Sequence, residues 1–307
     1  MEMSDMGQRL RITPRLPILL WAALVALLIA STSGCVTRSA GSAGVIAFVA
    51  NREGTNEIYV IQADGSRPTR LSTTEAANDR PAWSPDGTQI AFQSDRDGNW
   101  DIYVMQADGS APTNLTATPD DERFPAWSPD GSTIAFVTGP PGSGDVYLMQ
   151  ADGTNVRRFT QTPTDDGFPV WSPDGQRIAF VSGGDVYLAQ ADGTEFTQRT
   201  RTPAAESFLA WSPDGQHIAF TSTEGSSIRL GLLNVASGDV IWLTDATGDA
   251  LAPTWSPNGK QIAFTSTRDG DGDIFVINAD GSELTQLTSD PAYEYSPAWQ
   301  PAAGRAP

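Results

Sequence analysis

The chain has 307 residues, of which 37 are Asp or Glu and 19 are Lys or Arg, giving a formal net charge of −18. So acidic a body is excluded from holding nucleic acid or anionic headgroups by charge, and it favours basic partners or cations. One cysteine excludes an internal disulfide, while 29 glycines and 22 prolines indicate a turn-dense β protein.

At the N-terminus Arg9, Arg11 and Arg15 precede an uncharged stretch whose apolar core runs from Ile18 to Ala30, followed by Ser31-Thr32-Ser33-Gly34-Cys35. A basic region, an apolar region and small residues predict a secretory signal over residues 1–34. The apolar core is short for a bilayer span, which takes about 20 residues. The series resembles the lipobox of bacterial lipoproteins, with Thr32 where that pattern usually has leucine. The resemblance implies that Cys35 is lipidated and becomes the first residue of the mature protein. Residues 35–44, rich in Ser, Gly and Ala, are then a flexible tether. Loss of residues 1–34 removes three of the basic and two of the acidic residues, leaving a net charge of −19.

From residue 45 a single phrase recurs. Ile-Ala-Phe triplets begin at Ile46, Ile90, Ile134, Ile178, Ile218 and Ile262. Each is followed by a run such as Ile102-Tyr103-Val104-Met105 and a short segment such as Asn114-Leu115-Thr116, with an Asp-Gly turn between them in five of the six copies, at Asp64, Asp108, Asp152, Asp192 and Asp280. The phrase closes on Trp83, Trp127, Trp171, Trp211, Trp255 and Trp299, spaced 44, 44, 40, 44 and 44 residues apart. A fixed β-pattern period of about 40–50 residues signals a propeller or a solenoid. Each tryptophan runs into Ser-Pro-Asp-Gly, complete at Ser84–Gly87, Ser128–Gly131, Ser172–Gly175 and Ser212–Gly215, with Asn258 replacing Asp in the fifth copy. Proline presets the first central turn position and glycine takes the left-handed place after it. The sixth copy, Gln300-Pro301-Ala302, has lost the turn.

The unit therefore reads as four antiparallel strands, apolar on both faces where blades stack. The first repeat lacks the tryptophan strand and the last supplies only that strand. Pairing Pro297–Gln300 with Val45–Ala50 completes a sixth blade and removes the exposed edges that an open array would leave. The prediction is an all-β, six-bladed propeller over residues 45–300, closed by both ends of the repeat region, with 301–307 a disordered tail.

Catalytic motifs are scarce. The only histidine, His217, stands where other repeats carry Gln89, Thr133, Arg177 and Gln261, as expected of a solvated strand start. No Gly-x-Ser-x-Gly elbow, phosphate loop or His/Cys cluster occurs, so no catalytic residue is predicted. Asp95, Asp97 and Asp101, and likewise Asp269, Asp271 and Asp273, alternate with Gly or Asn in two loops and are candidates for calcium, although turn chemistry alone explains them. Otherwise no cofactor is expected. Aligned on the tryptophans, the position five residues earlier holds Asn78, Glu122, Asp166, Glu206, Ala250 and Glu294, and the position three earlier holds Arg80, Phe124, Phe168, Phe208, Ala252 and Ser296. Both positions enter the innermost strand, which predicts a rim of four carboxylates, three phenylalanines and Arg80 around the channel mouth. Ring solvation and packing between blades is the alternative.

Pro-Ala-Trp-Ser-Pro-Asp-Gly at Pro81–Gly87 and Pro125–Gly131, with Ile-Ala-Phe, Asp-Ile-Tyr-Val-Met and Ala-Asp-Gly-Ser, resembles the TolB β-propeller repeat. The resemblance spans nearly the whole mature chain, without the additional N-terminal α/β domain of TolB. It implies a periplasmic or cell-surface propeller used as a protein-binding platform. The functional expectation is a monomeric, non-enzymatic, lipid-anchored scaffold that binds a protein or peptide of basic character at an acidic channel mouth. A carbohydrate-active hydrolase or lyase using rim carboxylates and Arg80 is the alternative.

Overall fold

The computed structural model describes residues 44–302, apart from residue 141. The expected signal segment, Cys35 and nearly all of the tether lie outside the described residues, as does the tail beyond Ala302. The described chain forms six four-stranded antiparallel sheets, each a blade whose innermost strand ends on a tryptophan. Blade 2 is representative, with strands Asn78–Trp83, Gln89–Ser94, Asp101–Gln106 and Thr113–Asn114 running outward. The Ile-Ala-Phe triplets fill the second strands, and all six copies are buried.

Burial on both faces follows from the ring. Ile46 and Phe48 of blade 1 pack against Ala263, Ile274 and Val276 of blade 6. Ala47, on the opposite face, packs with Trp83, Ile90 and Phe92 of blade 2. The small alanine between two large residues lets the next blade's aromatic rings approach, so each core belongs to a pair of blades rather than to one.

The ring closes as the strand pattern predicts. Strand Glu294–Trp299 pairs antiparallel with Val45–Ala50, matching Ile46 with Trp299 and Ala50 with Glu294. Across the seam the Arg52 guanidinium meets the buried Glu294 carboxylate at 2.5 Å, and Trp83 Nε1 donates to the Ala298 carbonyl at 3.1 Å. Past the strand, Gln300 Nε2 donates to the carbonyl of Gly87, in the first Ser-Pro-Asp-Gly turn, at 3.0 Å.

Blade 5 departs from the repeat in a compensated way. In the other blades the triplet phenylalanine faces Tyr59, Tyr103, Tyr147, Tyr187 or Phe275 across the ladder. In blade 5 Phe220 faces Gly231. The missing ring comes from the next strand out, where Trp242 sits 5.9 Å from Phe220. A Cβ on Gly231 would lie 2.9 Å from Phe220 and 3.0 Å from Trp242, so glycine is required there by space.

Candidate functional site

Every innermost strand carries the same irregularity. In blade 2 the ladder matches Asp79 with Gln93 and Ala82 with Ala91, so Arg80 and Pro81 together oppose the single residue Phe92. The register shifts likewise in all six blades. This is a β-bulge, one of the few places in a sheet where proline is tolerated, and Pro81, Pro125, Pro169, Pro253 and Pro297 occupy it. The residue before each bulge proline, and Phe208 before Leu209, has a positive φ: 53° at Arg80, 57° at Phe124, 52° at Phe168, 50° at Phe208 and Ala252, and 52° at Ser296. Left-handed backbone at a non-glycine residue costs roughly 1–2 kcal/mol, and here it recurs six times around one axis.

Those six residues form the floor of a cavity of about 860 Å³. Its walls are the bulge prolines, the six closing tryptophans and the prolines of the Ser-Pro-Asp-Gly turns, and it opens on the face where those turns lie. Phe124 and Phe168 are 4.5 Å apart between ring centroids, and Phe168 and Phe208 are 4.6 Å apart. The Arg80 guanidinium lies 4.4 Å from the Phe208 ring and 5.5 Å from the Phe124 ring. The four side chains make a closed circuit of contacts across the axis, so the throat is a pocket with a floor.

Arg80, Phe124, Phe168 and Phe208 are thus brought together as expected. Glu122, Asp166, Glu206 and Glu294 are not at the mouth. Each is at most 3% exposed and is held beneath the linker between blades. Glu122 accepts from the Thr118 hydroxyl at 2.6 Å, Asp166 from Thr162 at 2.8 Å, and Glu206 from Thr202 at 2.7 Å and Thr200 at 3.0 Å. The bulge explains the correction. In a regular strand positions five and three before the tryptophan share a side, but the extra residue inverts the alternation between them. The expected acidic rim is replaced by four interblade clamps.

An exposed acidic ring exists elsewhere, on the Ser-Pro-Asp-Gly turns. Asp86, Asp130, Asp174 and Asp214 are all exposed, and Asp174 and Asp214 reach the cavity edge. Hydrogen bonds from the Ser84 and Ser128 hydroxyls hold the Asp86 and Asp130 carboxyls below the usual range. Asp174 and Asp214 are also lowered, since the Ser172 and Ser212 hydroxyls and nearby backbone N–H groups outweigh partial burial. The repetition of these aspartates was visible in the sequence as turn chemistry; their standing around one opening was not.

Other candidates are separate from the throat. His217 begins the second strand of blade 5 and is half-buried. Asp95 accepts from the Ala77 N–H at 2.7 Å, Asp97 from the Tyr103 hydroxyl and Asn114, and the buried Asp101 from Asn114 at 3.0 Å and Thr116 at 3.2 Å. In the second loop Asp273 is buried and accepts from Gln286 at 3.0 Å, while Asp269 and Asp271 are exposed. Among the described residues no group of three or more His, Cys, Asp or Glu could hold a metal ion.

The buried clamps and the turn aspartates give stability a pH optimum. Burial raises the carboxyls of Glu122, Glu206 and Glu294 above their ordinary value of 4.5. The folded state then binds protons that the unfolded chain does not, so stability should rise as pH falls from neutral toward 4.5. The lowered turn aspartates have the opposite sign, and their contribution is lost as pH falls below the ordinary Asp value of 3.8. Urea midpoints at pH 7, 5 and 3 should be highest at pH 5; a midpoint highest at pH 7 would contradict the assignment.

Six four-stranded antiparallel blades around a floored throat define a six-bladed β-propeller. The chain belongs to the TolB β-propeller family, whose domain description, "TolB beta propeller domain", matches residues 38–124, 118–202 and 185–305. It is similar to the crystal structure of TolB from Acinetobacter baumannii, at 25% identity and a TM-score of 0.75, over 84% of this chain and 67% of that one. A putative TolB from Agrobacterium tumefaciens matches at 20% identity and a TM-score of 0.66, over 85% of this chain and all of that one. An oligogalacturonate lyase in complex with manganese shares the fold at 14% identity and a TM-score of 0.56, over 79% of this chain and 73% of that one. No curated protein matches the chain.

Proposed function

We propose that this protein is a non-enzymatic binding module whose throat receives a protein or peptide segment from the Ser-Pro-Asp-Gly face. The carrying observation is the cavity of about 860 Å³, walled by tryptophan and proline above a phenylalanine floor. That size falls within the range of roughly 300–1,000 Å³ typical of ligand pockets, and aromatic walls supply large apolar contact at little entropic cost. Exposed aspartates at the opening favour a segment carrying Lys or Arg beside its apolar part, captured at a rate that falls with salt. The signal-like N-terminus and Cys35 support an exported, lipid-anchored protein facing the periplasm or the cell exterior. A carbohydrate-active reading based on rim carboxylates has less support, because those groups are buried as clamps.

The test uses synthetic decapeptides that flank an apolar core with either lysines or glutamates. Lysine-flanked peptides should bind and perturb the tryptophan emission. Changing Asp86, Asp130, Asp174 and Asp214 together to Asn should slow association and flatten its salt dependence. Asn258 already serves this turn, accepting from Ser256 Oγ and the Lys260 N–H at 2.9 Å, so the fold should tolerate the change. Changing Phe124, Phe168 and Phe208 to Ala should speed dissociation. Equal binding of both peptide sets, or none, would remove the proposal.

A further inference from the structure

The cation at the throat's floor has no hydrogen-bond acceptor. Arg52, Arg70, Arg96, Arg123, Arg158, Arg199 and Arg229 all donate from their side chains. Among the described residues Arg80 forms no side-chain hydrogen bond, a state it shares with Arg67, Arg177, Arg201 and Arg268, of which only Arg177 also lines the cavity. The carboxylate oxygen nearest to Arg80, Asp79 Oδ2, forms an ion pair with Nε at 3.8 Å, beyond hydrogen-bond reach, while the other oxygen, Oδ1, accepts from the backbone N–H of Arg80 at 2.7 Å. What positions the guanidinium is stacking on Phe208 and Phe124. Aromatic rings accept no conventional hydrogen bond, so the guanidinium N–H groups are left unspent, and a planar fork of donors suits an incoming carboxylate bidentately.

A second donor lies on the same ring. Ser296, the equivalent residue of the neighbouring blade 1, is 5% exposed and lines the cavity. Its Oγ is buried without a hydrogen-bond partner, a state that normally has a reason. Beside it Ala252 is small, so the floor has an aromatic half over blades 3 to 5 and an open, donor-bearing half over blades 6, 1 and 2.

We propose that Arg80 and Ser296 form a carboxylate-binding site at the base of the throat, and that its occupant is the free C-terminus of a partner polypeptide. This inference rests on the peptide-binding reading above and adds the direction and end-group of the bound segment. Charge complementarity selects the occupant. The exposed turn aspartates oppose entry of a small free anion, whereas a polypeptide can place Lys or Arg at the mouth and its apolar last residues against the tryptophans. Its terminal carboxylate then meets the one cation on the floor. Arg80 is a specificity-determining residue in this scheme, because the other blades place Phe, Ala or Ser at its position.

The experiment compares decapeptides that carry lysines in their N-terminal half and end in apolar residues, in two chemical forms, free carboxylate and C-terminal amide, against the full propeller. The carboxylate form should bind about tenfold or more tightly, as expected for a charge-assisted bidentate contact. Arg80→Met should bring the ratio between the forms close to one. Arg80→Lys should leave an intermediate ratio, since it keeps charge but loses the planar fork, and Ser296→Ala should reduce the ratio several-fold. Melting curves establish that each variant is folded, and Arg80→Lys preserves the test if Arg80→Met is not. Equal binding of both forms would overturn the carboxylate site while leaving the peptide reading intact. A carboxylate preference that survives Arg80→Met would overturn the role of Arg80. Arg80-dependent binding of oligogalacturonate in place of either peptide form would assign the site to an acidic sugar and overturn the polypeptide occupant. Failure of every peptide to bind would remove both readings.

Discussion

Deletion of residues 294–307 should unfold the ring rather than trim it. The deletion removes Trp299, which is buried between blades 1 and 6, and truncating a buried tryptophan alone costs about 3–5 kcal/mol. It also removes one of the two ladders of Val45–Ala50, leaving an exposed edge on a strand whose residues from Ile46 to Ala50 are apolar and buried in the intact protein. Together these losses approach the whole stability of an ordinary domain, about 5–15 kcal/mol. The expected observations are loss of the cooperative melt and self-association through the open edge on size exclusion. A monomer that melts like the full chain would mean that the seam contributes nothing.

Replacing Arg52 with Met should cost about 3–5 kcal/mol at neutral pH, the range for removing one partner of a buried pair. Glu294 is 0% exposed and its other carboxylate oxygen has no partner, so the guanidinium at 2.5 Å is its main compensation. Arg52 is itself partly exposed, which places the loss toward the lower end. Burial already raises Glu294 above its ordinary value, and without Arg52 it would rise further. The variant should therefore recover stability as pH is lowered toward 4.5, more steeply than the parent protein. A second change, Glu294→Gln, should restore much of the loss at pH 7. Chemical denaturation of the single and double variants measures both effects. A pH-independent loss would locate the cause in the contact of the Arg52 guanidinium with the Tyr59 ring, over which it lies at 4.7 Å.

The ring was legible because its signals are local and repeated. Tryptophan spacing set the blade count, the Ser-Pro-Asp-Gly turns marked where innermost strands end, and the out-of-phase ends forced a seam between Val45–Ala50 and Pro297–Gln300, whose strand the structure places at Glu294–Trp299. The throat was half legible. Phe124, Phe168 and Phe208 were recognisable as a set because they share a phase. Their separation from Glu122, Asp166 and Glu206 depends on a bulge of one residue, and a period-two reading cannot register that slip. The bulge had a trace in the sequence, since proline two residues before the tryptophan is poorly tolerated in a regular central strand. Trp242 was invisible for another reason: it replaces the tyrosine missing at Gly231 from an adjacent strand, a substitution across space rather than along the repeat.

The seam also decides what can be attached to this propeller. Gly44 accepts from the Ala63 N–H beside one Asp-Gly turn, and Pro301 and Ala302 line the edge of the cavity. Both ends of the described chain therefore emerge on the throat's own face. A short flexible sequence fused there is presented to the pocket at an effective concentration in the millimolar range, high enough to mask a ligand of moderate affinity. Purification handles and display carriers become competitors by their position, and a long rigid spacer or an attachment in the hairpin of blade 5 at Glu224–Ser227 would keep the opening clear.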